Sequence, residues 1–125
     1  MQARATTWWR AVGLGLVFML AGLAGGCRDS HFSGEPSEGH GLLVIDNWTG
    51  HRLRVYLDGE RSENVSSGKH RYYELEPGLV RLALDAHHSD RGWAGDIDIL
   101  SGRRTVVEVR SSGDYRSFEV RLYFD

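Results

Sequence analysis

The chain is 125 residues long and carries 15 basic against 17 acidic residues, a net charge of −2 at pH 7. Both signs are interspersed, which excludes a charged tail and argues against nucleic acid or an anionic membrane face as an electrostatic partner. A single cysteine excludes an internal disulfide framework.

In chain order, Arg4 and Arg10 precede the apolar run 11–24, AVGLGLVFMLAGLA. A secretory signal has an apolar core of about 7–15 residues, whereas a spanning helix needs about 20. Arg28 and Asp29 stop the run, and the small residues Ala24, Gly25 and Gly26 stand directly before Cys27. Small side chains are what a signal peptidase cleft admits, so the spacing predicts a signal peptide over 1–26. The segment 23–27, LAGGC, resembles the lipobox of bacterial lipoproteins. That resemblance implies that Cys27 is the acylated first residue of the mature protein and its attachment to a membrane. It also implies a bacterial envelope location, with Arg28 after the cysteine pointing to the outer rather than the inner membrane. The alternative is an uncleaved anchor with Trp8 and Trp9 at the headgroup boundary.

Residues 27–41 are rich in Gly, Ser and Glu, with Phe32 the one bulky apolar side chain after Cys27. Such a composition buries too little to fold and reads as a flexible tether with a reach of roughly 20 Å. His31 and His40 are expected to be solvated there.

Residues 42–125 form the expected folded body. No helical period persists, while period-two alternation recurs. Leu53, Val55 and Leu57 alternate with Arg54 and Tyr56; Val80, Leu82 and Leu84 with Arg81 and Ala83; Ile97 and Ile99 with Asp96 and Asp98; Val107 and Val109 flank Glu108; and Phe118, Val120, Leu122 and Phe124 alternate with Glu119, Arg121 and Tyr123. Turn signals punctuate the runs, among them Asp58-Gly59, Ser67-Gly68, Pro77-Gly78 and Ser101-Gly102. The fold class predicted is all-β, a small antiparallel β-sandwich. Two hairpins are expected, 43–47 with 52–58 and 104–110 with 115–124, and the last strand is expected at the centre of the core.

The order Val55-Tyr56-Leu57-Asp58-Gly59, Ser67-Gly68, then Leu75-Glu76-Pro77-Gly78 leading into an alternating strand, resembles the PEGA-type β-sandwich modules of bacterial envelope proteins. The likeness covers about residues 42–86 and implies a non-catalytic, surface-associated module. It carries no site residues over.

Four aromatic residues are candidate ligand contacts. Trp48 lies in a predicted turn, and Tyr56, Tyr72 and Tyr123 fall on the polar sides of their strands; exposed rings stack on sugars or anchor a protein partner. Trp93, in phase with Ile97 and Ile99, belongs to the core. His87, His88 and Asp90 are the densest set of metal-ligand types, but no further ligand pattern completes a site. Asp96 and Asp98 share a strand face at about 7 Å, a spacing that a solvated sheet face explains. No nucleophile elbow or phosphate loop occurs.

The sequence therefore predicts a lipid-anchored, non-enzymatic envelope module without a cofactor, binding a protein partner and not nucleic acid. The second reading is a carbohydrate- or peptidoglycan-binding module that uses Trp48 and the tyrosines.

Overall fold

A computed structural model describes residues 32–125 of the chain; Cys27 and the signal segment lie outside them. The strands are β1 (Gly41–Asn47), β2 (Leu53–Leu57), β3 (Glu60–Arg61), β4 (His70–Leu75), β5 (Gly78–Ala86), β6 (Gly92–Ile99), β7 (Arg104–Ser111) and β8 (Phe118–Phe124). Strands β2, β5, β6, β7 and β8 follow from the alternation already read, and several turns fall where Gly permits a positive φ. They form two four-stranded sheets: sheet A in the order β4-β1-β7-β8, and sheet B in the order β3-β2-β5-β6. Every pairing is antiparallel except β1 with β7. The described residues contain no helix. The all-β sandwich is thus the observed architecture, and Gly34–Asp125 is one compact unit of it.

The core lies between the sheets. Sheet A contributes Leu43, Ile45, Tyr73, Val107, Val109 and Phe118; sheet B contributes Leu53, Val55, Val80, Leu82, Leu84, Ala86, Ile97 and Ile99. Full burial of one such aliphatic side chain stabilises by about 1.5–3 kcal/mol. Trp93 packs against the rim of this cluster and lies back over Gly95, where an added Cβ would come within 2.8 Å of the indole. β1 is buried at all seven positions, which is the reason its apolar residues run on from Leu42 to Ile45 without alternating.

The expected 43–47/52–58 hairpin does not form. β1 belongs to sheet A and β2 to sheet B, so residues 48–52 cross between layers. Asn47 makes the crossing possible. Its buried amide nitrogen donates to the carbonyls of His51 (2.7 Å), Val65 (3.1 Å) and Ser66 (3.1 Å). Its Oδ1 accepts from the Thr49 backbone N–H (3.0 Å) and hydroxyl (2.6 Å). The side chain thereby supplies hydrogen bonds that a hairpin ladder would have supplied. The Asp58-Gly59 signal marks the tight hairpin instead, joining β2 to β3 with both central residues at positive φ (50° and 82°), the type I′ geometry. The β7–β8 hairpin forms as expected.

β8 is also not central. It is the edge strand of sheet A, and while Phe118 is buried, Leu122 and Phe124 are 46% and 50% exposed. Alternation tells which face a side chain takes; it does not tell strand order. Within the expected tether, residues 34–40 run along sheet A. The Ser37 N–H donates to Glu74 Oε1 (2.6 Å), Arg104 donates to the Gly34 carbonyl (3.1 Å), and His40 stands 3.4 Å from the Glu76 carboxylate.

Candidate functional site

Because Leu43, Ile45, Val107 and Val109 point into the core, their neighbours in β1 and β7 point to the opposite face of sheet A. The strand registers set these outward residues in rows across the sheet. One row reads Tyr72, Val44, Val106, Tyr123; the next reads His70, Asp46, Glu108, Arg121. Beyond them the Trp48 N–H donates to the Val109 carbonyl (2.9 Å), which places Trp48 beside Arg110, and Arg110 lies opposite Glu119.

The side chains of this end of the face are held in two contact sets. The Trp48 indole N–H donates to Asp46 Oδ2 at 2.7 Å. The Arg110 guanidinium lies over the Trp48 ring, 4.6 Å from its centre, and its Nε donates to Glu108 Oε1 at 2.8 Å. The Arg121 guanidinium lies 5.1 Å from the centre of the Tyr123 ring. Tyr123 has its phenol pKa raised, first by burial and then by the negative charges of Glu108 and Asp46. Asp46, Trp48, Arg110 and Glu108 therefore form a contact ladder of anions, a ring and a cation, and the stacked Arg121–Tyr123 pair stands beside it, with Arg121 opposite Glu108 in the strand register. Trp48 remains 54% exposed within the ladder. Stacked guanidinium groups and a hydrogen-bonded indole fix ring orientation at low entropic cost.

The four aromatic residues singled out from the sequence do not all meet. Trp48 belongs to the ladder and Tyr123 to the pair beside it. Tyr72 is on the same face but three strands from Tyr123, about 14 Å at ordinary strand spacing, and it packs beneath Gly34, where an added Cβ would touch its ring at 2.8 Å. Tyr56 is on the outer face of sheet B, with the Arg61 guanidinium 5.8 Å from its ring centre. Asp46, Glu108, Arg110 and Arg121 were not singled out from the sequence. The signal for the last three was their position on the polar side of β7 and β8; the signal for Asp46, inside an apolar run, was its proximity to Trp48.

His87, His88 and Asp90 lie in the β5–β6 turn, with the two imidazole rings 3.8 Å apart and His88 at a φ of 61°. The His87 pKa is lowered, chiefly by His88. Among the described residues no group of three or more His, Cys, Asp or Glu side chains is placed to hold a metal ion. Asp96 and Asp98 are exposed on the outer face of β6, Asp96 within 3.3 Å of Arg81.

Neither a protein-family model nor a curated protein matches the chain. Among solved structures, it is similar to the C-terminal domain of AlgF from P. aeruginosa, with a TM-score of 0.58 and 20% identity. That match covers 70% of this chain and 100% of the AlgF domain, and the likeness is one of fold.

Proposed function

We propose that the chain is a non-enzymatic accessory module of a bacterial cell envelope, which binds an envelope protein through the Trp48–Arg110 ladder. It is exported by a signal peptide cleaved before Cys27, and acyl chains on Cys27 hold it to the membrane, the outer membrane in keeping with Arg28. The observation that carries the binding role is an indole more than half exposed yet fixed by Asp46 and Arg110. Trp, Tyr and Arg dominate interface hot spots, and a fixed ring loses little freedom on binding. The lipobox-like run before Cys27 and the PEGA-like order of turns support the envelope setting. The bacterial origin of the fold neighbour is in keeping with it.

Two variants test the two halves of this reading. Cys27→Ser releases the exported protein from the membrane fraction, since acyl chains contribute about 0.8 kcal/mol per buried CH₂; a variant that stays membrane-bound after export refutes lipid anchoring. Trp48→Ala lowers recovery of the partner co-purified from envelope extracts, by about tenfold or more for a hot spot of ~2 kcal/mol. Unchanged recovery refutes the ladder as the contact. The exposed indole also favours a second reading, stacking on a glycan. Retention on peptidoglycan that is lost in Trp48→Ala selects it; absence of retention on any glycan removes it.

A further inference from the structure

β3 closes sheet B and β4 closes sheet A, and the connection between them frames an open groove of about 630 Å³. Three guanidinium groups line it, those of Arg52, Arg61 and Arg71, with Glu63 as the one carboxylate. Two positive charges are thus in excess here, on a chain whose net charge is −2. The concentration of charge is local.

The groove is held in shape before any ligand arrives. Arg61 donates to Asn64 Oδ1 (2.9 Å), and Arg71 Nε donates to the Asn64 carbonyl (3.0 Å). Arg71 also pairs with the Glu63 carboxylate. The loop that carries Glu63 and Asn64 is fixed in turn by reciprocal 2.9 Å backbone bonds between Leu53 and Val65, by the Ser62 N–H to the Val55 carbonyl (2.8 Å), and by the Tyr73 hydroxyl to the Glu63 carbonyl (2.7 Å). Arg52 is exposed, and its guanidinium has no hydrogen-bond or ion-pair partner among the described residues. The positive potential reaches the next turn, where Arg54, Arg52 and Arg61 add to the stronger effects of His88 and desolvation in lowering the His87 pKa.

We propose that this groove binds an oxyanion, the carboxylate or phosphate group of a small ligand, through Arg52 and Arg61, with Arg71 shared between that ligand and Glu63. Guanidinium groups take both anions through paired N–H donors, and a pre-fixed rim reduces the ordering cost of binding. The Glu63 carboxylate occupies the position beside Arg71 that an incoming anion seeks, so it acts as an internal competitor. The groove is separate from the ladder and does not depend on it.

The test is an NMR titration of the full chain in detergent micelles at fixed low ionic strength, following the arginine Nε–Hε signals. Inorganic phosphate and citrate are the probes, and the amide spectrum of each variant reports its fold. The Arg52, Arg61 and Arg71 signals shift saturably with at least one probe. Saturation by phosphate alone assigns a phosphate ester, by citrate alone a carboxylate, and by both the shared chemistry. Arg52→Ala weakens binding by about tenfold, Glu63→Gln tightens it several-fold, and Arg103→Ala, with the same charge change at an exposed turn outside the groove, leaves it unchanged. The proposal is overturned by any of three results: no saturation with either probe, equal weakening by Arg103→Ala and Arg52→Ala, or no tightening by Glu63→Gln.

Discussion

Asn47 illustrates how much one buried amide decides in this chain. It ties five backbone or hydroxyl partners across the passage between layers, and nothing in its Asn-Trp-Thr context distinguishes it from a turn former. Asn47→Ala leaves several buried groups unpaired and lowers stability by about 3 kcal/mol, measured by urea denaturation; a loss below about 0.5 kcal/mol contradicts this role. Tyr73 is a second residue with a readable consequence. Its hydroxyl donates to the Glu63 carbonyl, and its pKa is raised from 10.0 to about 12, first by burial, with Glu63 raising it and Arg71 opposing. The folded state holds the proton more tightly than the unfolded state. The stability so contributed is complete below pH 10 and is lost as pH rises toward about 12. Denaturation measured across that window falls more steeply for the wild type than for Tyr73→Phe. Equal slopes contradict the raised pKa.

At the scale of elements, alternation read from the sequence assigned the facing of residues well and their partners poorly. Leu53, Val55, Val80, Leu82, Leu84, Ile97, Ile99, Val107 and Val109 all point inward as their phase requires. Yet strand order depends on contacts far apart in the chain, which a local period does not encode. For the parallel pairing of β1 with β7, the continuous apolar run Leu42–Ile45 marks β1 as buried but does not name its partner. β8 carries the strongest apolar alternation in the chain and still lies at an edge, with the charges of Glu119 and Arg121 on its exposed outer face. Leu82→Ala, inside β5 and fully buried, therefore costs about 2–5 kcal/mol, and Leu122→Ala less than about 1 kcal/mol. Equal costs in the same denaturation series refute the edge assignment. Gly41 tests the junction of β1 with the β6–β7 turn. A Cβ there would stand 2.6 Å from the Leu100 carbonyl oxygen and 2.5 Å from Ile99 Cγ2, so Gly41→Ala forces backbone to move and costs about 1–3 kcal/mol. A neutral Gly41→Ala refutes that close approach.

For the whole molecule, the sandwich separates two surfaces of different chemistry. The outer face of sheet A carries rings stacked with guanidinium groups and flanked by carboxylates; the β3–β4 side carries a groove with excess positive charge. The first was half legible in the sequence, because Trp48 and Tyr123 stood out as polar-side aromatics. Their arginine and carboxylate partners were not, since rows across a sheet appear only once register is known. The second was not legible, because Arg52, Arg61 and Arg71 come from three segments that only the fold brings together. Site-directed photocrosslinking in living cells tests the ladder as recognition surface most directly. Benzoylphenylalanine in place of Glu119, beside Arg110 on the ladder, is compared with the same probe in place of Leu79, exposed on sheet B. The account predicts a discrete adduct from position 119 that disappears with Trp48→Ala, and none of that mass from position 79. An adduct formed equally from both positions, or one from position 119 that persists in Trp48→Ala, contradicts it.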